Sequence, residues 1–296
     1  MGLVVSVNGE FFTKREDAKI CVYDHGFLYG DGVFEGIRAY NGRVFRLDEH
    51  IERLFTSAKS IMLNIPKSQE EVKRLTVETA RKTGFKDVYI RLVVSRGIGD
   101  LGLDPRKCSK PSIVIIADAI ALYPKEKYEQ GIKVVTCSTR RTRPDSLNCE
   151  IKSLNYLNNI LAKIETIHYG ADEGIMLNDS GYVTEATADN IFIYQKCKLV
   201  TPPAFIGILE GITRNTVIEI AKKIGNKVVE MPFSVHDIYG ADECFLTGSG
   251  AELIPVIEID ARPIGDGKPG KHFKKLLEAY QELTRTTGTP LYENEK

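Results

Sequence analysis

The chain has 296 residues, enough for two domains of ordinary size, and its 40 basic and 40 acidic side chains leave a formal net charge of zero. That balance offers no electrostatic pull on nucleic acid or an anionic membrane. The most apolar stretch, Ser112 to Tyr123, is interrupted by Asp118 and falls short of the ~20 residues a bilayer span needs.

Six cysteines without a C-x-x-C pair give neither a zinc spacing nor a dense disulfide framework, so no metal is expected and a reducing, cytoplasmic setting is. No secretory signal is expected, because the first residues show no basic region followed by an apolar block and a small-residue cleavage site. Met1-Gly2-Leu3-Val4-Val5-Ser6 fits a myristoylation pattern, but the same residues run into Asn8-Gly9 and Glu10-Phe11-Phe12, which reads as strand, tight turn and strand. Asn178-Asp179-Ser180 fits a glycosylation acceptor and is read instead as a hairpin turn before Gly181.

After the opening hairpin, Gly30 to Tyr40 leads to a turn at Asn41-Gly42. A helix is then expected from Asp48, as its cap, to Leu63, with Ile51, Leu54, Phe55, Ala58 and Met62 on one face. The capping box Ser68-Gln69-Glu70-Glu71 opens a second helix that stops near Gly84. Strands follow at Val88 to Ser95 and Ser112 to Ala117, and period-2 geometry in the first puts Tyr89, Arg91, Val93 and Ser95 on one face, a face that looks into a site.

The segment Ala121 to Gln130, with Pro124 and several charges, is the expected link between an N-terminal domain, 1–120, and a C-terminal domain, 131–296. Beyond it come a strand at Val134 to Thr139, a helix from Leu154 to Tyr169, and a hairpin from Gly174 to Tyr194 turning at Asn178 to Gly181. A helix from Thr213 to Ile224, a strand at Glu243 to Thr247, a hairpin near Gly265 to Gly267 and a last helix from Lys271 to Arg285 complete the chain. Strands and helices do not alternate strictly, so the fold class is α+β rather than a doubly wound parallel sheet.

Gly97-Ile98-Gly99-Asp100-Leu101-Gly102 matches G-x-G-x-x-G after a strand. A dinucleotide site also needs a helix starting at the glycines, and Pro105 and Pro111 leave it no room, so the segment reads as a glycine-rich loop.

Chemistry points elsewhere. Lys152 stands at the junction of a polar loop and an amphipathic helix, in Glu150-Ile151-Lys152-Ser153-Leu154-Asn155-Tyr156. Glu185 lies among small residues in Thr184-Glu185-Ala186-Thr187-Ala188, a setting suited to a carboxylate that keeps a pyridine nitrogen protonated. Leu209-Glu210-Gly211-Ile212-Thr213-Arg214 opens a helix whose first amides, those of Ile212 and Thr213, form an anion site. Thr247-Gly248-Ser249-Gly250-Ala251-Glu252 follows a strand with small residues that let backbone amides approach a phosphate or carboxylate.

In this order the segments, together with Tyr23-Asp24-His25-Gly26-Phe27-Leu28-Tyr29-Gly30-Asp31-Gly32-Val33-Phe34-Glu35-Gly36-Ile37-Arg38, resemble the class IV aminotransferases, the fold type IV pyridoxal-phosphate enzymes, over nearly the whole chain. The branch most resembled is the branched-chain amino acid aminotransferases, on Val33 to Tyr40, Tyr89-Ile90-Arg91 and the Gly97 to Asp104 loop. The resemblance implies a two-domain α+β fold, with a smaller N-terminal α/β domain and a larger C-terminal pseudo-barrel that binds pyridoxal 5'-phosphate. It implies ping-pong transamination of leucine, isoleucine and valine with 2-oxoglutarate.

Lys152 would then carry the cofactor as a Schiff base and move the proton; Glu185 would hold the pyridine nitrogen, and Tyr156 the phenolic oxygen. The spacing from Lys152 to Tyr156 is one residue shorter than in some members of that branch. Arg53, the amides of Ile212 and Thr213, and Ser249 would hold the phosphate. The Gly250-Ala251 turn and Arg91 would meet the substrate carboxylate, and Tyr29 and Phe34 would line the side-chain pocket. Tyr29 would serve the neighbouring subunit, which implies a homodimer or larger homo-oligomer. D-amino-acid aminotransferase and aminodeoxychorismate lyase, on the same fold, are the alternatives.

Overall fold

The computed structural model describes residues 2–119 and 123–292. Met1 of the amino-terminal pattern and the first two residues of the expected link, 121 and 122, lie outside the described residues. The chain divides into two compact units, the first made of 1–120, 151–155 and 283–296 and the second of 121–150 and 156–282. The expected domains were continuous; these units are not, and the five residues that carry Lys152 belong with the first.

The first unit begins with β1 (Val4–Val7), β2 (Glu10–Phe12) and the short helix α1 (His25–Tyr29), then β3 (Gly32–Tyr40), β4 (Arg43–Val44), α2 (Leu47–Ser60), α3 (Gln69–Lys82), β5 (Val88–Ser95) and β6 (Ser112–Asp118). The second begins with α4 (Lys125–Gln130), β7 (Ile132–Thr136), α5 (Leu157–Tyr169), β8 (Glu173–Leu177), β9 (Val183–Ala186), β10 (Asn190–Gln195) and β11 (Lys198–Thr201). It continues through α6 (Ile212–Lys223), β12 (Lys227–Glu230), α7 (Val235–Tyr239), β13 (Glu243–Gly248), β14 (Glu252–Ile259) and β15 (Arg262–Pro263). The last helix, α8 (Lys271–Thr286), precedes β16 (Thr289–Pro290).

Seven strands of the first unit form one sheet in the order β16-β4-β3-β5-β6-β1-β2; the second unit's nine-stranded sheet runs β12-β11-β10-β13-β14-β7-β8-β9, with β15 beside β14. Parallel and antiparallel pairs coexist, β7 being parallel to both β8 and β14, so the class is α+β. In β5 the alternation expected from sequence is realised: Val88, Ile90, Leu92 and Val94 are buried, while Tyr89 and Arg91 face the other way. The buried side joins Ile37 of β3 and Leu54 of α2 in the first core. The capping box of α3 is complete, with Ser68 accepting from the Glu71 amide and the Glu71 carboxylate accepting from the Ser68 amide.

Several boundaries differ from expectation, for physical reasons. Asp48 does not cap α2: the helix starts at Leu47 after Arg46 in the left-handed region, and Asp48 pairs with Lys73 Nζ at 2.6 Å. The helix also ends early, and Met62, at φ +53° and 87% exposed, turns out of the apolar face where its spacing put it. The hairpin expected at Gly265 to Gly267 turns instead at Asp260-Ala261, both with positive φ, where Ile259 pairs with Arg262. The Asp260 carboxylate accepts from the Thr136 amide, the Thr136 hydroxyl and the Tyr239 hydroxyl, all at 2.7 Å, and these bonds hold a turn that no glycine marks. Six of the ten residues of the expected link, Lys125–Gln130, form the helix α4.

The glycine-rich segment 97–102 is a loop, as expected, and only a 3-10 turn at Pro105–Lys107 follows it. Gly97 has φ +87°, and a Cβ there would lie 1.8 Å from the Lys110 carbonyl oxygen. Gly9 has a similar φ, +95°, with nothing within 4 Å. Gly9→Ala should therefore cost about 1 kcal/mol, the strain of a left-handed alanine, and Gly97→Ala at least twice as much because backbone must also move. Urea unfolding of the two variants checks this; equal losses would show that the Lys110 contact is not the constraint.

Candidate active site

In the first unit the site grows from one face of α2, where His50, Arg53 and Ser57 recur at helical spacing. Across from them, alternation along β3 puts Glu35 on the face that carries Val33, Ile37 and Ala39, all fully buried. A carboxylate there must be matched by charge and hydrogen bonds. Glu35 accepts from Arg53 Nε at 2.8 Å, from Arg53 Nη2 at 2.7 Å and from His50 Nδ1 at 2.8 Å. Burial alone would push the Glu35 carboxyl up; the charge and fork of Arg53, with the His50 hydrogen bond, reverse that and hold it at about 2. An ionised carboxylate only accepts, so the His50 proton sits on Nδ1. Burial holds the His50 imidazole below its ordinary value.

Lys152 is fastened to the same frame. The residues 151–155 run antiparallel to the start of β3: the Phe34 amide donates to the Lys152 carbonyl at 2.9 Å, and the Leu154 amide to the Gly32 carbonyl at 2.9 Å. The Lys152 amide donates to Ser57 Oγ at 3.2 Å. Lys152 Nζ lies 4.7 Å from the centroid of the Phe34 ring, and the Arg91 guanidinium carbon 3.6 Å from it, so three expected site residues meet around one ring. Tyr29, the last residue of α1, donates its hydroxyl to the Leu101 carbonyl at 2.6 Å and so holds the glycine-rich loop.

In the second unit Glu185 is a buried carboxylate on β9 held by three donors: Arg141 Nε at 2.8 Å, the Leu209 amide at 3.0 Å and Asn190 Nδ2 at 3.3 Å. Arg141 also reaches Asn158 and Asn159 at the start of α5, whose preceding residue is Tyr156. Burial works against the Arg141 charge, and the Glu185 carboxylate more than compensates, raising the guanidinium above its ordinary value.

Asn190 joins the remaining pieces. Its amide donates to the Leu209 carbonyl at 2.8 Å, and its Oδ1 would lie 2.0 Å from a Cβ on Gly211, so a side chain there would displace Asn190. Gly211 is the N-cap of α6 and offers no side-chain cap to the first amides, those of Ile212 and Thr213. Asn190 is also the cross-strand partner of Thr247 on β13, and Ser249-Gly250-Ala251 make the tight turn from β13 to β14. Thr247 Oγ1 is buried with no hydrogen-bond partner.

Thus the first unit assembles Lys152, Phe34, Arg91 and Arg53, and the second assembles Glu185, Ile212, Thr213 and the Ser249 turn, with Tyr156 adjoining Arg141's partners. Arg53, expected among the groups that hold a phosphate, also holds Glu35 through two of its nitrogens. Glu35, His50, Ser57, Arg141 and Asn190 were not anticipated. For Glu35 a signal existed, a charge at an apolar position of a strand; for Arg141, inside the run Arg140-Arg141-Thr142-Arg143, none did. Among the described residues no cluster of three or more His, Cys, Asp or Glu could hold a metal ion, and no helix is long and apolar enough to cross a membrane.

Residues 32–259 match the family model described as amino-transferase class IV. A Methanocaldococcus jannaschii protein provisionally named a branched-chain-amino-acid aminotransferase is 51% identical over 289 residues, covering 98% of this chain and 99% of the relative. The branched-chain aminotransferase of Thermoproteus uzoniensis, solved with norvaline, is 39% identical over 99% of this chain and 100% of that one, with a TM-score of 0.91. The branched-chain amino acid aminotransferase of Escherichia coli is 33% identical over 100% of this chain and 97% of that one, with a TM-score of 0.92. Another solved branched-chain amino acid aminotransferase, complexed with N-(5'-phosphopyridoxyl)-L-glutamate, is 36% identical over 96% and 94%, with a TM-score of 0.90. The chain belongs to the class IV aminotransferases, in their branched-chain amino acid aminotransferase branch.

The Glu35 pair carries a pH signature. A carboxyl held at about 2 when folded, and near 4.5 when free, contributes stability that is whole above the free value and is lost as pH falls through the folded one. Wild-type unfolding free energy should therefore drop more steeply between pH 5 and pH 2 than that of Glu35→Gln. Denaturant titrations across that window test it, and parallel curves would show that Glu35 is not ionised in the fold.

Proposed function

We propose that this aminotransferase uses pyridoxal 5'-phosphate to move the amino group of leucine, isoleucine and valine to 2-oxoglutarate, working by turns on amino donor and oxo acceptor. The observation that carries the cofactor is the second unit's pairing of a buried, triply held carboxylate, Glu185, with an uncapped helix start at Gly211. A protonated pyridine nitrogen suits the first and a phosphate the second. The unpartnered hydroxyl of Thr247 beside the Ser249 turn adds a donor fitted to an anion. When bound, the cofactor supplies an electron sink for the substrate α-carbon.

The residues divide the remaining work. Lys152 would anchor the cofactor through Nζ and move the α-proton; Glu185 would hold the ring nitrogen, and Tyr156 the phenolic oxygen. Arg53, the amides of Ile212 and Thr213, and Ser249 bind phosphate. Gly250 and Ala251 offer amides to the substrate carboxylate, aided by Arg91, while Phe34 and Tyr29 surround the side chain and exclude water. The branched substrates are those in the names of the relatives, and the norvaline and phosphopyridoxyl-glutamate complexes of two of them support an aliphatic donor and a glutamate partner.

We further propose a cytoplasmic homodimer or larger homo-oligomer. Leu157, Ile160, Ile164 and Ile167 form an apolar stripe along α5, each at least half exposed, which a second copy would cover. Six free thiols suit a reducing compartment.

Purified protein should be yellow, and Lys152→Ala should abolish turnover and leave borohydride no lysine on which to fix the cofactor. With 2-oxoglutarate as acceptor, L-leucine, L-isoleucine and L-valine should exceed D-alanine as donors. A preference for D-alanine, or pyruvate released from aminodeoxychorismate without an acceptor, would overturn the substrate assignment.

A further inference from the structure

Glu35 and His50 have no part in the roles above, yet they are among the most completely buried ionisable groups of the first unit. From the geometry we infer that Glu35, backed by His50, is a positioning residue that aims the Arg53 guanidinium and thereby sets how tightly the protein holds a phosphorylated ligand. The inference rests on the proposal that Arg53 binds the cofactor phosphate.

An arginine on the middle of a helix has several rotatable bonds, and its charge alone does not say where its N–H groups point. Glu35 removes that freedom. Its two oxygens take Nε and Nη2 in a side-on fork at 2.8 and 2.7 Å, which fixes the guanidinium plane to that of the carboxylate and turns the Nη1 corner away from it. The carboxylate in turn cannot rotate, because Oε2 also accepts from His50 Nδ1 and the side chain is wholly enclosed on β3. His50 and Arg53 leave α2 one turn apart, so a single helix supplies both donors. The next turn supplies Ser57, which holds the Lys152 amide. Helix, strand and lysine segment thus share one frame, and Glu35 is the group in it whose bonds end on Arg53.

The pairing accounts for something charge neutralisation does not require. A lysine at position 53 could neutralise Glu35 as a point charge, but it would have no fork to set a plane. Pre-aiming a flexible cation removes an ordering cost that ligand binding would otherwise meet. The effect should appear for ligands that carry a phosphate and not for those that lack it.

The test compares apoprotein binding of pyridoxal 5'-phosphate and of pyridoxal, which lacks the phosphate, by fluorescence or absorbance titration. In Glu35→Gln the affinity for pyridoxal 5'-phosphate should fall roughly 10- to 100-fold, the range for losing a hydrogen bond to a charged group, with pyridoxal affinity unchanged. In an Arg53→Met background, which also relieves the unmatched buried cation, adding Glu35→Gln should weaken phosphate-dependent binding no further. His50→Gln, which spares the fork, should shift the ratio of the two affinities in the same direction by less, and it reads the same quantity should Glu35→Gln fail to fold. Equal losses for both ligands, an undiminished ratio, or additive losses in the double variant would overturn the inference. Wild-type apoprotein that takes up neither ligand would instead overturn the cofactor proposal itself.

Discussion

A carboxylate enclosed in the apolar face of a strand cannot be left to water, and the first unit is arranged around that constraint. Glu35 sits where Val33, Ile37 and Ala39 bury their side chains, so α2 must present two donors at the matching height. Leaving such a charge unmatched would cost several kcal/mol, more than most single contacts return. Once His50 and Arg53 are in place, the rotation and register of α2 against β3 are set. Ser57 then falls where it can take the Lys152 amide, and the start of β3 takes the segment's carbonyl and the Leu154 amide. The lysine proposed to carry the cofactor is therefore located by strand pairing and by one helix, not by the polar loop that precedes it.

The second unit solves a related problem with an amide side chain. Asn190 holds Glu185, the Leu209 carbonyl and the close approach of Gly211 while pairing across the sheet with Thr247. One residue thereby ties a carboxylate, a helix start and a tight turn that are far apart in sequence. Arg141 adds a positive charge behind Glu185 and extends the network to the asparagines of α5. A carboxylate with its oxygens already held keeps a fixed direction, as the ring-nitrogen role proposed for Glu185 requires.

Local physics was legible residue by residue. The Ser68 box, the alternation of β5, the Asn178 turn, whose side chain accepts from the Ser180 and Tyr182 amides, and the prolines that deny a helix to the Gly97 loop all depend on neighbours within a few positions. The motifs around Lys152, Glu185, Ile212 and Ser249 were legible in the same way, and their order marks the family. What failed were endings that distant groups decide. Met62 leaves the apolar face because α2 stops at Ser60, and the Asp260 turn forms because Thr136 and Tyr239 reach it from other elements.

By itself the sequence determined the α+β class, the glycine loop's lack of a following helix, and the motif order that marks the family, because periodicity, turn chemistry and residue type are properties of short segments. Only the tertiary structure decided which charges are matched. Glu35 with Arg53 and His50, and Glu185 with Arg141 and Asn190, are pairings made across strands and helices, and the cost of burying an unpaired charge is what selects them.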